Sequence, residues 1–281
     1  MQVPAWQWQR LALMGLEEDI GSGDLTTEAV LSAKDMGGMF LVAREKIVVA
    51  GMDAVQTVYR LLDSRVSMVP AIPDGSVIEA GVVVATLQGP SRSLLTGERV
   101  ALNILQRLSG IATITRQVIE EVADLPVAIL DTRKTTPGWR VFEKYAVRCG
   151  GGKNHRFGLY DAVLIKDNHI AAAGSVANAI RTVRSHVGPL VPIEIEIDSL
   201  SQIGDALQAK PHALLLDNMT PASLQEAVRI VDHKVWLEAS GNIQPNAVRQ
   251  IAQTGVDAIS LGWLTHSARS VDIGADWGNG L

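Results

Sequence analysis

Short apolar, β-branched runs recur through the second half of the chain, and each one ends in polar or charged residues. They read VAILDTRK (127–134), DAVLIKDNH (161–169), PIEIEI (192–197), ALLLDN (213–218), VWLEASGN (235–242) and AISLGWLTHS (258–267). Between most of them lie segments with apolar residues three and four apart, such as SVANAIRTVRSHV, SLSQIGDALQA and PASLQEAVRIV, the spacing of helices with one buried face. Strand and helix alternating every 20–30 residues or so predict repeated βα units and a parallel sheet. Near-continuous apolar runs imply strands covered on both faces. Six such units in series favour a closed or nearly closed barrel over a doubly wound sheet.

The first hundred residues have a different texture. GGMFLVAREKIVVAGMDAV and SVIEAGVVVATLQGP read as strands punctuated by glycine and proline, and TGERVALNILQRLSGIATITRQVIEEVA as one long helix or two joined near Gly110. A separate α+β domain over 1–108 is expected, then a barrel over 109–269, with 270–281 packing back on the first domain. Apolar content of 47 % and charged content of 20 % are those of an ordinary globular chain. A net charge of −5 argues against a general nucleic-acid or membrane-surface binder. The single cysteine, Cys149, excludes an internal disulfide and fits a reducing compartment. With no signal-peptide pattern and no membrane-length apolar run, a cytoplasmic protein is expected.

Residues at the carboxyl ends of the strands of a parallel barrel converge on one face and build its site. Here those ends carry Arg133 and Lys134, Lys166, Glu196, Asp217, Ser240-Gly241-Asn242 and Gly262. From Asp131 to His169 the cations are Arg133, Lys134, Arg140, Lys144, Arg148, Lys153, Arg156 and Lys166, against only Asp131, Glu143, Asp161 and Asp167. Such a local excess in a net acidic chain suggests a site for a polyanion. Arg140, Lys144 and Arg148 fall at helical spacing, so part of that excess is expected on a solvated face. Glu196 and Asp217 end consecutive strands, a carboxylate pair that suits Mg²⁺ shared with substrate phosphates. Glu194 and Asp198 share the strand-face parity of Glu196, and periodicity alone does not choose among the three. Ser240-Gly241-Asn242 leads into a helix with Pro245 in its first turn, which presents backbone N–H groups to an anion.

CGGGKNHR (149–156) superficially resembles a phosphate-binding P-loop. The P-loop pattern needs glycine five residues before Gly-Lys and Ser or Thr after it; Val147 and Asn154 stand there instead. His155 lies between Asn154 and Arg156 and could face an anionic ligand. The six histidines show neither i, i+4 pairing nor cysteine partners, so zinc is not expected.

The run LDTRKTTPGWRVFEKYAVRCGGGKNHRFGLYDAVLIKDNHI (130–170) closely resembles the quinolinate phosphoribosyltransferase family. LEEDIGSGDLTTEAVL, TGERVALNILQRLSGIAT, LLLDN, EASGNI and GVDAISLGWLTHS extend the resemblance over nearly the whole chain. It implies an N-terminal α/β sandwich plus an incomplete α/β barrel. The implied reaction joins quinolinate and phosphoribosyl pyrophosphate (PRPP), with Mg²⁺, into nicotinate mononucleotide, pyrophosphate and CO₂ for NAD synthesis. By motif, the resemblance puts Arg133, Lys134, His155 and Arg156 around quinolinate, and Arg99 in the neighbouring subunit's site of a homodimer that could assemble further. Lys134 and Lys166 would neutralise pyrophosphate, Glu196 and Asp217 hold the metal and ribose end, and Ser240, Gly241, Asn242, Gly262 and His266 the 5′-phosphate. Trp139 and Phe142 depart from the smaller aliphatics of related sequences. The alternatives are a homologue associated with molybdenum transport, a Schiff-base lyase using Lys166, and a non-catalytic phosphometabolite sensor.

Overall fold

A computed structural model describes residues 2–278; of the expected terminal segment, 279–281 lie outside the described residues. The chain forms two compact units, one drawn from Met1–Arg116, Pro137–Gly151 and Ser267–Leu281, the other from Gln117–Thr136 and Gly152–His266. In chain order, α1 (Ala5–Ile20) and α2 (Leu25–Val30) precede β1 (Met36–Ala43), β2 (Ile47–Val48), α3 (Met52–Leu62), β3 (Ser67–Pro70), β4 (Val77–Ile78) and β5 (Val83–Pro90). The long α4 (Ser91–Glu121) leads to β6 (Ala128–Leu130), α5 (Arg140–Cys149), β7 (Val163–Ile165), α6 (Asp167–Ala173) and α7 (Val176–His186). Then come β8 (Ile193–Ile197), α8 (Ile203–Ala209), β9 (Ala213–Asp217), α9 (Pro221–Val231) and β10 (Trp236–Ser240). The series closes with α10 (Val248–Ala252), β11 (Ala258–Ser260), α11 (Trp263–His266) and β12 (Ile273–Gly278).

The first unit is built on an antiparallel sheet of order β12-β1-β5-β3. Its central strands bury Met39, Leu41, Ala85 and Leu87, and β1 meets β12 with Leu41 opposite Ala275. The expected boundary at 108/109 falls inside α4, which is one unbroken helix rather than two. Gly110 marks no joint. A methyl group there would run into the carbonyl oxygen of Arg269, so glycine permits a close approach of backbone to helix. Helix α5 also belongs to this unit. Its Phe142 lies against Trp8, ring centroids 4.7 Å apart, and against Trp139 at 6.2 Å, so the aromatic departures fill a core. The solvated face expected of α5 holds only for Arg148: Lys144 is fully buried beside an equally buried Glu143, which pairs with Arg107 at 3.0 Å.

Short α2 depends on its cap. Asp24 accepts the backbone N–H of Thr27 at 2.9 Å and the hydroxyl of Thr96 at 2.9 Å. The Thr27 hydrogen bonds hold the Asp24 carboxyl below its ordinary range. A carboxyl whose folded pKa is depressed stabilises the fold above its unfolded pKa and stops doing so as pH falls through the folded one. Asp24→Ala is therefore expected to cost about 1 kcal/mol at neutral pH, a deficit that shrinks below roughly pH 4; urea titrations at the two pH values check it.

The second unit is a six-stranded, all-parallel sheet of order β6-β11-β10-β9-β8-β7. All six runs singled out in the sequence are strands. Ile129, Ile165, Ile195, Leu214, Leu216, Leu237 and Ile259 are buried along them. Strands β6 and β7 stand at the two ends of the sheet, which makes the barrel incomplete. Caps set the helix starts locally: Thr220 takes the N–H of Ser223 ahead of Pro221, and Ser175 that of Asn178. Among the described residues, no helix is long and apolar enough to cross a membrane.

Candidate active site

The carboxyl ends of β6 to β10 open into one cavity of about 320 Å³ within the second unit. Arg133, Lys134, His155, Arg156, Lys166, Glu196, Asp217, Ser240 and Gly241 all line it. The parallel register explains the convergence: Glu196 pairs with Leu215, and Ser240 with Asp217, so consecutive strands end level with one another. Gly262 adjoins this wall, since a methyl group there would lie 2.8 Å from Lys134 Cδ and 3.4 Å from His266 Nε2. Arg99 does not line the cavity; it lies exposed on α4 in the first unit, 4.0 Å from Glu98.

Three acids left equivalent by strand parity have three fates. Asp198 is exposed beyond β8. Glu196 faces the cavity, its Oε2 3.4 Å from Lys166 Nζ. Burial raises the Glu196 carboxyl; Lys166 pulls it down, and Asp217 pushes it up again. Glu194 points inward to His155, its Oε2 3.0 Å from Nε2. On the cationic side, burial lowers the Arg156 guanidinium, and the charge of nearby Arg133 lowers it further. Arg133 and Arg156 therefore stand close enough for their charges to oppose one another.

The wall formed by the Ser240-Gly241-Asn242 turn is shaped by backbone conformation. Asn218, Gly241 and Asn242 all have left-handed φ values of 54°, 92° and 48°. Asn218 donates to Asp217 Oδ2 at 2.6 Å and accepts from Asn242 Nδ2 at 3.1 Å. Ser260 donates to Ser240 Oγ at 3.0 Å, and the Trp263 indole donates to the Ile243 carbonyl at 2.9 Å. The turn is thus clasped from both sides.

CGGGKNHR does two structural tasks before any chemistry. A methyl group on Gly150 would come within 2.5 Å of the Ala112 carbonyl oxygen, and Gly151 has φ of 99°. Lys153 then runs parallel beside β6, donating its N–H to Ile129 at 2.9 Å and accepting that of Asp131 at 3.2 Å. The turn that follows is held by the fully buried Asp131, which accepts Asn154 Nδ2 at 2.6 Å and the His155 N–H at 2.9 Å.

Four residues at this site escaped the sequence reading. Asp131 registered only as a countercharge, Glu194 only as a parity ambiguity, and Glu238 and Asn218 only as letters within EASGNI and LLLDN. Glu238 is almost wholly buried, and its Oε2 lies 3.6 Å from His155 Nε2. Burial and then the charge of Glu194 push its carboxyl up, against the pull of His155. The DTRK and NHR motifs carried the signal for Asp131, since an acid opening a cationic strand end invites a hydrogen-bonding role.

Comparison with known proteins agrees with this geometry. The family model for the C-terminal domain of quinolinate phosphoribosyl transferase matches residues 111–276, and that for its N-terminal domain matches 24–109. A probable nicotinate-nucleotide pyrophosphorylase [carboxylating] of Bacillus subtilis is 44 % identical over 92 % of this chain and 89 % of its own. The nicotinate-nucleotide pyrophosphorylase [carboxylating] of Mycobacterium leprae is 43 % identical over 93 % and 94 %. The solved nicotinate-nucleotide pyrophosphorylase of Francisella tularensis superposes with a TM-score of 0.96 at 38 % identity, covering 99 % of this chain and 98 % of that one. The molybdenum-associated and lyase alternatives find no support in these likenesses. A parallel barrel whose strand ends gather four cations and three carboxylates in one cavity, matched by both domain models, belongs to the quinolinate phosphoribosyltransferase family.

Proposed function

We propose that this chain transfers the phosphoribosyl group of PRPP to quinolinate with loss of CO₂, giving nicotinate mononucleotide and pyrophosphate, as a cytoplasmic homodimer. The observation that carries the reading is the single cavity lined by Arg133, Lys134, Arg156 and Lys166 together with Glu196 and Asp217. The substrates together bear two carboxylates, a phosphate and a pyrophosphate. Charge-assisted hydrogen bonds to such groups contribute about 1.5–3 kcal/mol each. Arg133, Lys134 and Arg156 face the quinolinate carboxylates, with His155 in the same wall. Lys134 and Lys166 stabilise the charge that develops on departing pyrophosphate. The turn Ser240-Gly241-Asn242, with Gly262 and His266, takes the 5′-phosphate.

Departure of pyrophosphate leaves an oxocarbenium-like ribose, which the pyridine nitrogen attacks. Positioning and charge stabilisation supply the catalysis, and no protein nucleophile is required. The pyridinium nitrogen formed then stabilises the electron pair left on the neighbouring carbon as its carboxylate departs as CO₂, and that carbon takes up a proton from water to give nicotinate mononucleotide.

Glu196 and Asp217 fit Mg²⁺, because they are hard oxygen donors on adjacent strands, close enough for Asp217 to push the Glu196 carboxyl up. Magnesium bound there would neutralise pyrophosphate and orient the ribose end. The deciding assay follows nicotinate mononucleotide and CO₂ formation from quinolinate, PRPP and Mg²⁺; no turnover with all three present would sink the reading.

Exposed Arg99 supports a site completed between subunits. Arg99→Ala and Arg133→Ala, each inactive alone, are expected to recover roughly a quarter of wild-type activity when mixed and re-equilibrated. Random pairing makes about half the dimers mixed, each with one intact site of two. No recovery on mixing would count against a shared site.

A further inference from the structure

Resting on that reading, we propose that Glu194 is a positioning residue for quinolinate, which acts through His155 to seat the turn presenting Arg156. The ring of His155 is engaged at both nitrogens. Nδ1 accepts the backbone N–H of Arg156 at 2.7 Å, so the ring proton lies on Nε2, directed at Glu194 Oε2 3.0 Å away. The imidazole is therefore a strut between a buried acid and the Arg156 backbone.

Packing alone does not hold this strut. On the side lined by Val163, Pro192, Ala213 and Trp236 there is a second cavity of about 180 Å³, whose wall includes His155, Glu194 and Glu238. The same His155 and Glu238 line the active-site cavity. The layer thus divides two cavities, and its polar contacts must fix it. Asp131 anchors the turn through Asn154 and the His155 N–H, while Arg156 itself is tied to the Ala162 carbonyl at 3.1 Å. The ring contact to Glu194 is a further tie on the same turn. Glu238 Oε2 stands 3.6 Å from the same nitrogen, outside hydrogen-bond reach, and its buried Oε1 has no hydrogen-bond partner.

Steady-state kinetics with each substrate varied in turn test the assignment. Glu194→Ala is expected to raise the KM for quinolinate roughly 10- to 100-fold, the loss of one charge-assisted contact, with the KM for PRPP unchanged. Glu194→Gln, whose amide oxygen still accepts from Nε2, is expected to restore most of the affinity. A purely structural role would lower the active fraction and the thermal midpoint without separating the two substrates. An unaltered quinolinate KM in Glu194→Ala, with a raised one in His155→Phe, would make His155 a direct ligand and overturn the proposal. Should Glu194→Ala not fold, Glu194→Met keeps the volume without the acceptor; if neither folds, the role lies in the fold and the proposal fails. A wild-type enzyme with no turnover sinks the parent reading, whereas an active wild type with an unaltered Glu194→Ala sinks only this one.

Discussion

Arg133→Ala is expected to cut kcat/KM for quinolinate by about 10²- to 10⁴-fold while leaving the KM for PRPP nearly unchanged. An arginine fork on a carboxylate makes two charge-assisted hydrogen bonds, each worth about 1.5–3 kcal/mol, and every 1.4 kcal/mol or so is a factor of ten. The substitution removes both bonds and leaves Lys134 and Arg156 without the planar fork of Arg133 against a dianion. Stability should move differently from activity. Arg133 opposes the charge on Arg156 in the folded protein, a repulsion that the charges of Glu194 and Asp161 offset in part, so its removal relieves what remains of it. The thermal midpoint of the ligand-free protein should therefore stay level or rise. Parallel substrate kinetics and thermal denaturation check both halves. A loss of activity matched by a large drop in midpoint would place Arg133 in the fold rather than the cradle. Lysine is not an adequate substitute, because a point charge cannot reproduce the planar fork.

Gly110→Ala carries the largest expected loss of stability. In a helix interior, alanine is favoured over glycine by about 1 kcal/mol, so propensity alone predicts stabilisation. Geometry reverses the sign. The added methyl group would occupy the space of the Arg269 carbonyl oxygen, and its next neighbours are backbone atoms of Arg269 and Ser270 rather than the end of a flexible side chain. Arg269 cannot shift freely, since its guanidinium is tied to Glu45 and Val271 donates to the Gln106 carbonyl at 3.2 Å. Overpacking of this kind costs about 1–3 kcal/mol or more, enough to outweigh the propensity gain. Chemical denaturation of Gly110→Ala should show a net loss of at least about 1 kcal/mol, and a net gain would mean that the strand entry relaxes without cost.

The barrel was legible because its signal is repeated. Six β-branched runs with polar ends carry their own period, and the architecture then assigns their ends to one face. Lys166, Glu196, Asp217 and Ser240 followed from that rule. What the periodicity lacks is depth. Glu194, Glu196 and Asp198 share a parity, yet one lies beneath the cavity, one faces into it and one is in solvent, because distance along a tilted strand sets depth and alternation does not record it. Buried Lys144 and Glu143 were obscured for a related reason. Charged residues at helical spacing read as a solvated face, and only tertiary pairing with Arg107 reveals a buried one. The glycines of CGGGKNHR were visible as a turn, but the reason for Gly150 lies 38 residues back, in the carbonyl of Ala112. No local pattern carries that information.

The antiparallel pairing of β1 with β12 joins residues 36–43 to 273–278, nearly the full length of the chain. A ribosome adding about 5–20 residues per second would release β1 roughly 10–50 s before its partner strand is made. For that interval the nascent sheet presents one edge of β1 unpaired, the kind of edge that recruits other strands. Truncation just before Ile273 would make this exposure permanent, so β12 closes an edge that stays open until synthesis has reached it.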